Sequence, residues 1–177
     1  MTRISRMKKL QFLLLDAGPI IKLFELNLWV KFLQSCDVTI LRTIIPELKW
    51  ASQKLEDVRI DIETYEGKGL TIVDRDTSVV ASFYAKLKPL YRDLIESDDG
   101  EVATLEFLLA SSEKWILCSG DGPVFRLMGA LNCGDQGISL EEVLDKIGLR
   151  QNNIEWPYTK KFRLEKTKQG KIDAAQF

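Results

Sequence analysis

Asp16, Glu101 and Asp121 each stand where an apolar run begins or ends. LQFLLLD ends at Asp16, the loop SDDGE carries Glu101 into an apolar helix, and WILCSGD ends at Asp121. Residues this far apart meet at one edge of a sheet whose strands run in parallel. Three carboxylates held together raise one another's pKa, and a divalent cation removes that conflict. A hard cation held by few carboxylates most often serves phosphate chemistry. Each acid also has a plain structural reading. Asp16 and Asp121 lie just ahead of a Gly-Pro pair and can end a strand or cap the next helix. Asp98 and Glu101 have the spacing of an N-cap and N3 pair.

Composition narrows the chemistry. The chain has no histidine, which excludes His-based triads, His general bases and His-containing zinc sites. The three cysteines, Cys36, Cys118 and Cys133, show no CxxC spacing and read as reduced thiols of a cytoplasmic protein. A length of 177 residues with 45% apolar content suits one domain with a real core. Net charge is −1, so the chain as a whole is not an electrostatic nucleic-acid binder. From Arg150 onward, however, seven bases face three acids, a net +4 that leaves −5 on residues 1–149. The run LQFLLL is shorter than the roughly 7–15 apolar residues of a secretory h-region. No stretch approaches the ~18 apolar residues of a membrane span, so no membrane association is expected.

The elements that must position the acids follow from patterning. Leu10–Leu15 reads as a strand buried on both faces, and Pro19 opens a helix. Asp37–Ile45 reads as a second strand, and Pro46 as the start of a helix over PELKWASQKLED. Residues 57–69 are ambiguous. LTIVD reads as a short strand, and Thr77 as the N-cap of a helix to about Ile95, with Val80, Phe83, Leu87 and Leu94 inward and Pro89 a possible kink. A helix from Gly100 to about Ser111, a buried strand WILCS, a helix from Pro123 and a capping box at Ser139 and Glu142 complete the order. This alternation predicts an α/β fold, a three-layer α/β/α sandwich with a mainly parallel sheet. In such sheets ligands bind at the carboxyl ends of strands, where Asp16 and Asp121 fall.

FLLLDAGPIIKLFEL, DDGEVATLEFLL and ILCSGDGPVFRLMGALN together resemble the PIN-domain nucleases, closest to the subgroup with a Gly-Glu acid ahead of an alanine- and leucine-rich helix. The first-strand aspartate is matched by Asp16, the Gly-Glu acid by Gly100-Glu101, and the late Thr/Ser-x-Asp by Ser119-Gly120-Asp121. A basic residue in the following helix is matched by Arg126. The resemblance spans roughly residues 10–148, so the expected division is a PIN-like domain over 1–149 and a basic C-terminal extension over 150–177. One position departs. Where the family carries a glutamate beyond a proline like Pro46, this chain has Ser52, and Glu47 is the nearby substitute, with Asp98 and Asp99 as spare acids beside Glu101.

The resemblance implies a Mg2+- or Mn2+-dependent endoribonuclease, with an RNA substrate. Asp16, Glu101 and Asp121, with Glu47, would bind the metal, and Ser119 would support a carboxylate or water. Arg126 and the tail residues Lys160, Lys161 and Arg163 would contact nucleic acid. In the tail, Trp156, Tyr158 and Phe162 alternate with bases, which suits base stacking and equally suits packing. Homodimerisation and toxin-type pairing with an antitoxin-like protein are further implications. The alternative is a catalytically impaired PIN-like module that binds nucleic acid or protein. A dehalogenase-like phosphatase is disfavoured by Gly18 where its second acid belongs, and a P-loop enzyme by the lack of GxxxxGK[ST].

Overall fold

The computed structural model describes residues 9–54, 56–89 and 99–175. The chain runs β1 (Leu10–Leu15), α1 (Ala17–Glu25), α2 (Trp29–Ser35), β2 (Cys36–Leu41), β3 (Trp50–Gln53), β4 (Glu56–Arg59) and β5 (Leu70–Val73). It continues through α3 (Thr77–Leu87), α4 (Asp99–Ala110), β6 (Ile116–Cys118), α5 (Gly122–Ala130), β7 (Gly137–Ile138), α6 (Leu140–Lys146) and α7 (Lys160–Ala174). The central sheet has the order β5-β2-β1-β6-β7, and every pairing in it is parallel. Helices cover both faces, giving the expected three-layer α/β/α sandwich. Among the described residues no helix is long and apolar enough to cross a membrane.

The run Leu13–Leu15 of β1 follows from its place at the centre of the sheet, whereas Gln11 and Phe12 ahead of it are exposed, so the strand is buried on both faces only in its second half. Leu13 and Leu15 face a core built with α1, α2 and α6, while Leu14 faces one built with α4, α5 and Phe162 of α7. All three leucines are fully buried, each side chain stabilising the fold by about 1.5–3 kcal/mol relative to exposure. The register of β1 on β2 slips between Leu10 and Leu13, and Phe12 there takes a left-handed φ of 58°. This bulge accommodates an extra residue, and the alternation is restored before the strand reaches Asp16.

Two expectations are corrected. The second strand ends at Leu41, and Arg42–Glu47 forms a 3-10 helix containing Pro46. The helix expected after Pro46 is instead the antiparallel hairpin β3–β4, in which Ser52 pairs with Asp57. Tertiary packing overrides local helix propensity here. Leu48, Ala51 and Ile60 are buried in the α1 side of the core, and Gln53 Nε2 donates to the Phe24 carbonyl near the end of α1 at 2.5 Å. Lys54 takes a φ of 50° where the hairpin reverses. The helix beginning at Thr77 is capped by Asp76, one residue earlier than expected, and runs to Leu87. Leu94, Ile95 and Asp98 lie outside the described residues. The capping box at Ser139 and Glu142 is present as expected.

Candidate active site at the carboxyl ends of the central strands

From β1 the sheet grows in one direction through β2 and β5, and in the other through β6 and β7. The order therefore reverses between β1 and β6, and a crevice opens at such a switch point beyond the carboxyl ends of the strands. Asp16 and Ser119 each follow directly on one of these two strands, and Asp16 N–H donates to the Cys118 carbonyl at 3.1 Å.

Asp16 is buried, only 8% exposed as a residue. It accepts from its neighbour's amide, Ala17 N–H, through Oδ1 at 2.8 Å and from the Ser119 hydroxyl through Oδ2 at 2.8 Å. The same hydroxyl accepts from Asp121 N–H at 3.0 Å. Ser119 is thus a fully buried link between the Asp16 carboxylate and the main chain of Asp121. Asp16 does serve as N-cap of α1. Asp121 occupies the N-cap position of α5, but its carboxylate makes no capping bond. The capping role that sequence offers for Asp121 is therefore not what its side chain does.

Glu101 lies in the first turn of α4 and is half-buried. Its neighbours Val102 and Leu105 pack in the same core as Leu14 of β1 and Val124 of α5. Glu47 ends the 3-10 helix after β2 and is exposed. Ser52, on β3, donates its hydroxyl to Asp57 at 2.9 Å. Among the described residues no group of three or more Asp, Glu and Cys side chains is placed to hold a metal ion. The fold brings Asp16, Ser119 and the backbone of Asp121 together.

The C-terminal segment is folded and packed on this edge. The Tyr158 ring lies over the loop after β6, so closely that a Cβ at Gly120 would stand 2.4 Å from its Cε1. Its hydroxyl donates to the Gly18 carbonyl at 3.3 Å, and burial raises the pKa of that phenol. Lys22 Nζ sits 5.7 Å from the ring centroid and joins Glu25 and Glu155, the latter at 2.6 Å. Burial pulls the Lys22 pKa down, but the two acceptors more than offset it and the net shift is upward. Nothing in the spacing of Lys22, Glu155 and Tyr158 announces this cluster.

The bases assigned to nucleic acid divide into two groups. Arg126 pairs with Asp173 through Nη2 at 2.7 Å, and Arg163 makes a fork to Glu142 at 2.8 and 2.9 Å. These pairs dock α7. Burial alone would raise the Glu142 carboxyl, but hydrogen bonds from Arg163 and Ser139 hold it below its usual range. Asp173 is held low by Gln169 and Arg126. Lys160 and Lys161 remain exposed, Lys161 lying 5.7 Å from the Trp156 ring centroid. Of the tail aromatics, Phe162 is buried against Phe125, while Trp156 is 46% exposed.

A second buried acid escaped sequence reading. Glu106, 5% exposed, accepts a fork from Arg75 at 2.6 and 2.7 Å. Its signal was a charge set between Leu105 and Phe107 in the apolar second half of α4.

The donor set available to a cation is all oxygen. Burial raises the Cys36 thiol to about 12, the Cys133 thiol to about 11 and the Cys118 thiol well above its usual value, which disfavours the thiolate form. Oxygen donors suit Mg2+ or Mn2+, and Mg2+ commonly keeps several waters and binds through only one or two carboxylates. Asp16 and Asp121 at adjacent strand ends fit that requirement in kind. Comparison with family models, with curated proteins and with solved structures finds no match to this chain.

Proposed function

We propose that this chain is a divalent-metal-dependent endoribonuclease of the PIN-like type, acting at the crevice between β1 and β6. The observation that carries the reading is the chain of hydrogen bonds from Asp121 N–H through the Ser119 hydroxyl to a buried Asp16 carboxylate at the switch point. The Asp16 carboxylate and the main chain of Asp121 are thereby tied together where an α/β sheet binds its ligands. Asp16 and Asp121 would hold the cation, with Glu101 and Glu47 as further acids of the same edge. A bound Mg2+ or Mn2+ supplies Lewis acidity toward a phosphodiester and lowers the pKa of a water bound to it. Ser119 holds the Asp16 carboxylate in one orientation, a supporting role that metal sites commonly need. Lys160 and Lys161, exposed, are the bases best suited to contact RNA phosphates, because Arg126 and Arg163 are already paired with acids. Toxin-type association with an antitoxin-like protein, and homodimerisation, belong to this reading through the family resemblance.

The test is cleavage of single-stranded RNA by the purified chain with Mn2+, with metal binding followed by calorimetry. Cleavage by the wild type and none by a folded Asp16→Asn variant is the expected result. Absence of both cleavage and metal binding sinks the nuclease reading. That outcome would favour a PIN-like binding module, a reading supported by Ser52 in place of the expected glutamate and by the lack of a three-acid cluster among the described residues.

A further inference from the structure

The geometry points to a nucleotide subsite in the cavity bounded by α3 and the chain beyond the carboxyl ends of β2 and β5, where one nucleotide of a single-stranded RNA lays its base against Tyr84 and its phosphate on Arg75. The inference rests on the ribonuclease reading and extends it to how the substrate is held.

The cavity measures about 320 Å³ and is lined by Thr43, Arg75, Thr77, Val80, Tyr84 and Val102, among others. Thr43 and Arg75 each lie two residues beyond their strands, which end at Leu41 and Val73. Val102 is the neighbour of Glu101 on α4. The cavity therefore opens on the same sheet edge as Asp16 and Asp121, on the β2 and β5 side of the switch point. Neighbouring strands are about 4.8 Å apart, so a nucleic-acid strand following this edge passes from the crevice to the cavity within a short span.

The lining matches the chemistry of a nucleotide. A base has two apolar faces and a hydrogen-bonding rim, and proteins hold unpaired bases by stacking on aromatic rings. The half-buried Tyr84 and Val80 offer an aromatic and apolar wall above the buried Val102, and Thr43 and Thr77 also line the cavity. Arg75 is the anchor. Its Nε and Nη2 are taken by the buried Glu106, and its guanidinium sits 5.6 Å from the Phe107 ring centroid. That fork fixes the plane of the group, while Nη1 donates to no described residue. An oriented guanidinium with unused N–H groups is well suited to a phosphate.

The test titrates AMP, GMP, CMP and UMP, and the matching nucleosides, into the metal-free 177-residue chain, with binding read by NMR. It is performed in Asp16→Asn protein, so that binding is scored apart from cleavage. Saturable binding is expected, with shifts on residues of α3. Tyr84→Ala should weaken it at least tenfold, and Ala81→Trp, at an exposed position on the lip of the cavity, should block it. Arg75→Lys should weaken the nucleotides more than the nucleosides. Absence of saturation into the low millimolar range overturns the subsite, as does affinity unchanged by Ala81→Trp. Binding that behaves as expected in a chain that never cleaves RNA would leave the subsite standing and remove the nuclease reading alone.

Discussion

Gly170 of α7 lies so close to α5 that a Cβ built on it would stand 1.7 Å from the carbonyl oxygen of Arg126. Gly129 of α5 meets the Thr167 carbonyl in the same way, at 2.1 Å. The two helices approach through a glycine on each, which no larger residue permits without displacement. Gly170→Ala should therefore destabilise the chain by about 1–3 kcal/mol through overpacking, despite alanine's better helix propensity. Urea unfolding measures it, and an unchanged or raised midpoint would contradict the packing described.

Ser119→Ala removes the hydroxyl that donates to Asp16 Oδ2 at 2.8 Å. Losing a buried hydrogen bond to a charged group costs about 1.5–3 kcal/mol, so a lower midpoint is expected in denaturation. On the proposed reading, metal affinity or cleavage should also fall by about 10–100-fold, as when a supporting partner of a metal ligand is removed. Calorimetry with Mn2+ separates the two effects.

Docking of α7 should weaken in acid. The folded pKa values of Glu142 and Asp173 lie below their unfolded values. Their contribution is therefore complete above the ordinary carboxyl range, about pH 4, and is lost as pH falls through the lower folded values. Glu142→Gln should flatten this acid dependence while lowering stability at neutral pH. Thermal melts from neutral pH downward follow both, and a profile unaltered by the substitution would show that the Arg163 pair does not contribute.

Tyr158→Phe and Tyr158→Ala should differ. The first loses a long hydrogen bond to Gly18 and costs roughly 0.5–1.5 kcal/mol at most. The second uncovers the loop at Gly120 and should cost about 2 kcal/mol, less than the 3–5 of a fully buried aromatic because the ring is half-buried. Equal losses for the two would place the contribution in the hydroxyl rather than the ring.

Four strands of the central sheet were legible because their signals are local, while the two-residue β7 was not read. Leu13–Leu15 and Ile116–Cys118 are apolar runs of the kind a strand at the centre of a sheet requires, and Ser139 with Glu142 marks a helix start within four residues. The positions of Asp16, Ser119 and Asp121 at one edge follow from that reading. The hairpin β3–β4 was not legible, since PELKWASQKLED satisfies helix propensity and only the core against α1 selects extended chain. Nor was the docking of α7. Its determinants are Gly129 with Thr167, Gly170 with Arg126, and Arg126 with Asp173, contacts made across tens of residues. Arg126 and Arg163 accordingly read as free bases in the sequence and stand in ion pairs in the fold.

The placement of Tyr158 over Gly120 alters how deletion experiments on this chain are to be interpreted. Residues 150–177 invite removal as a basic arm, with any lost cleavage credited to lost RNA contact. Such a truncation would strip the covering from Gly18 and Gly120, expose the apolar side of α5 and leave Arg126 without Asp173. A negative result would then record collapse of the sheet edge. Charge-neutralising changes at Lys160 and Lys161, which leave that covering in place, are the substitutions that isolate contact with the polyanion.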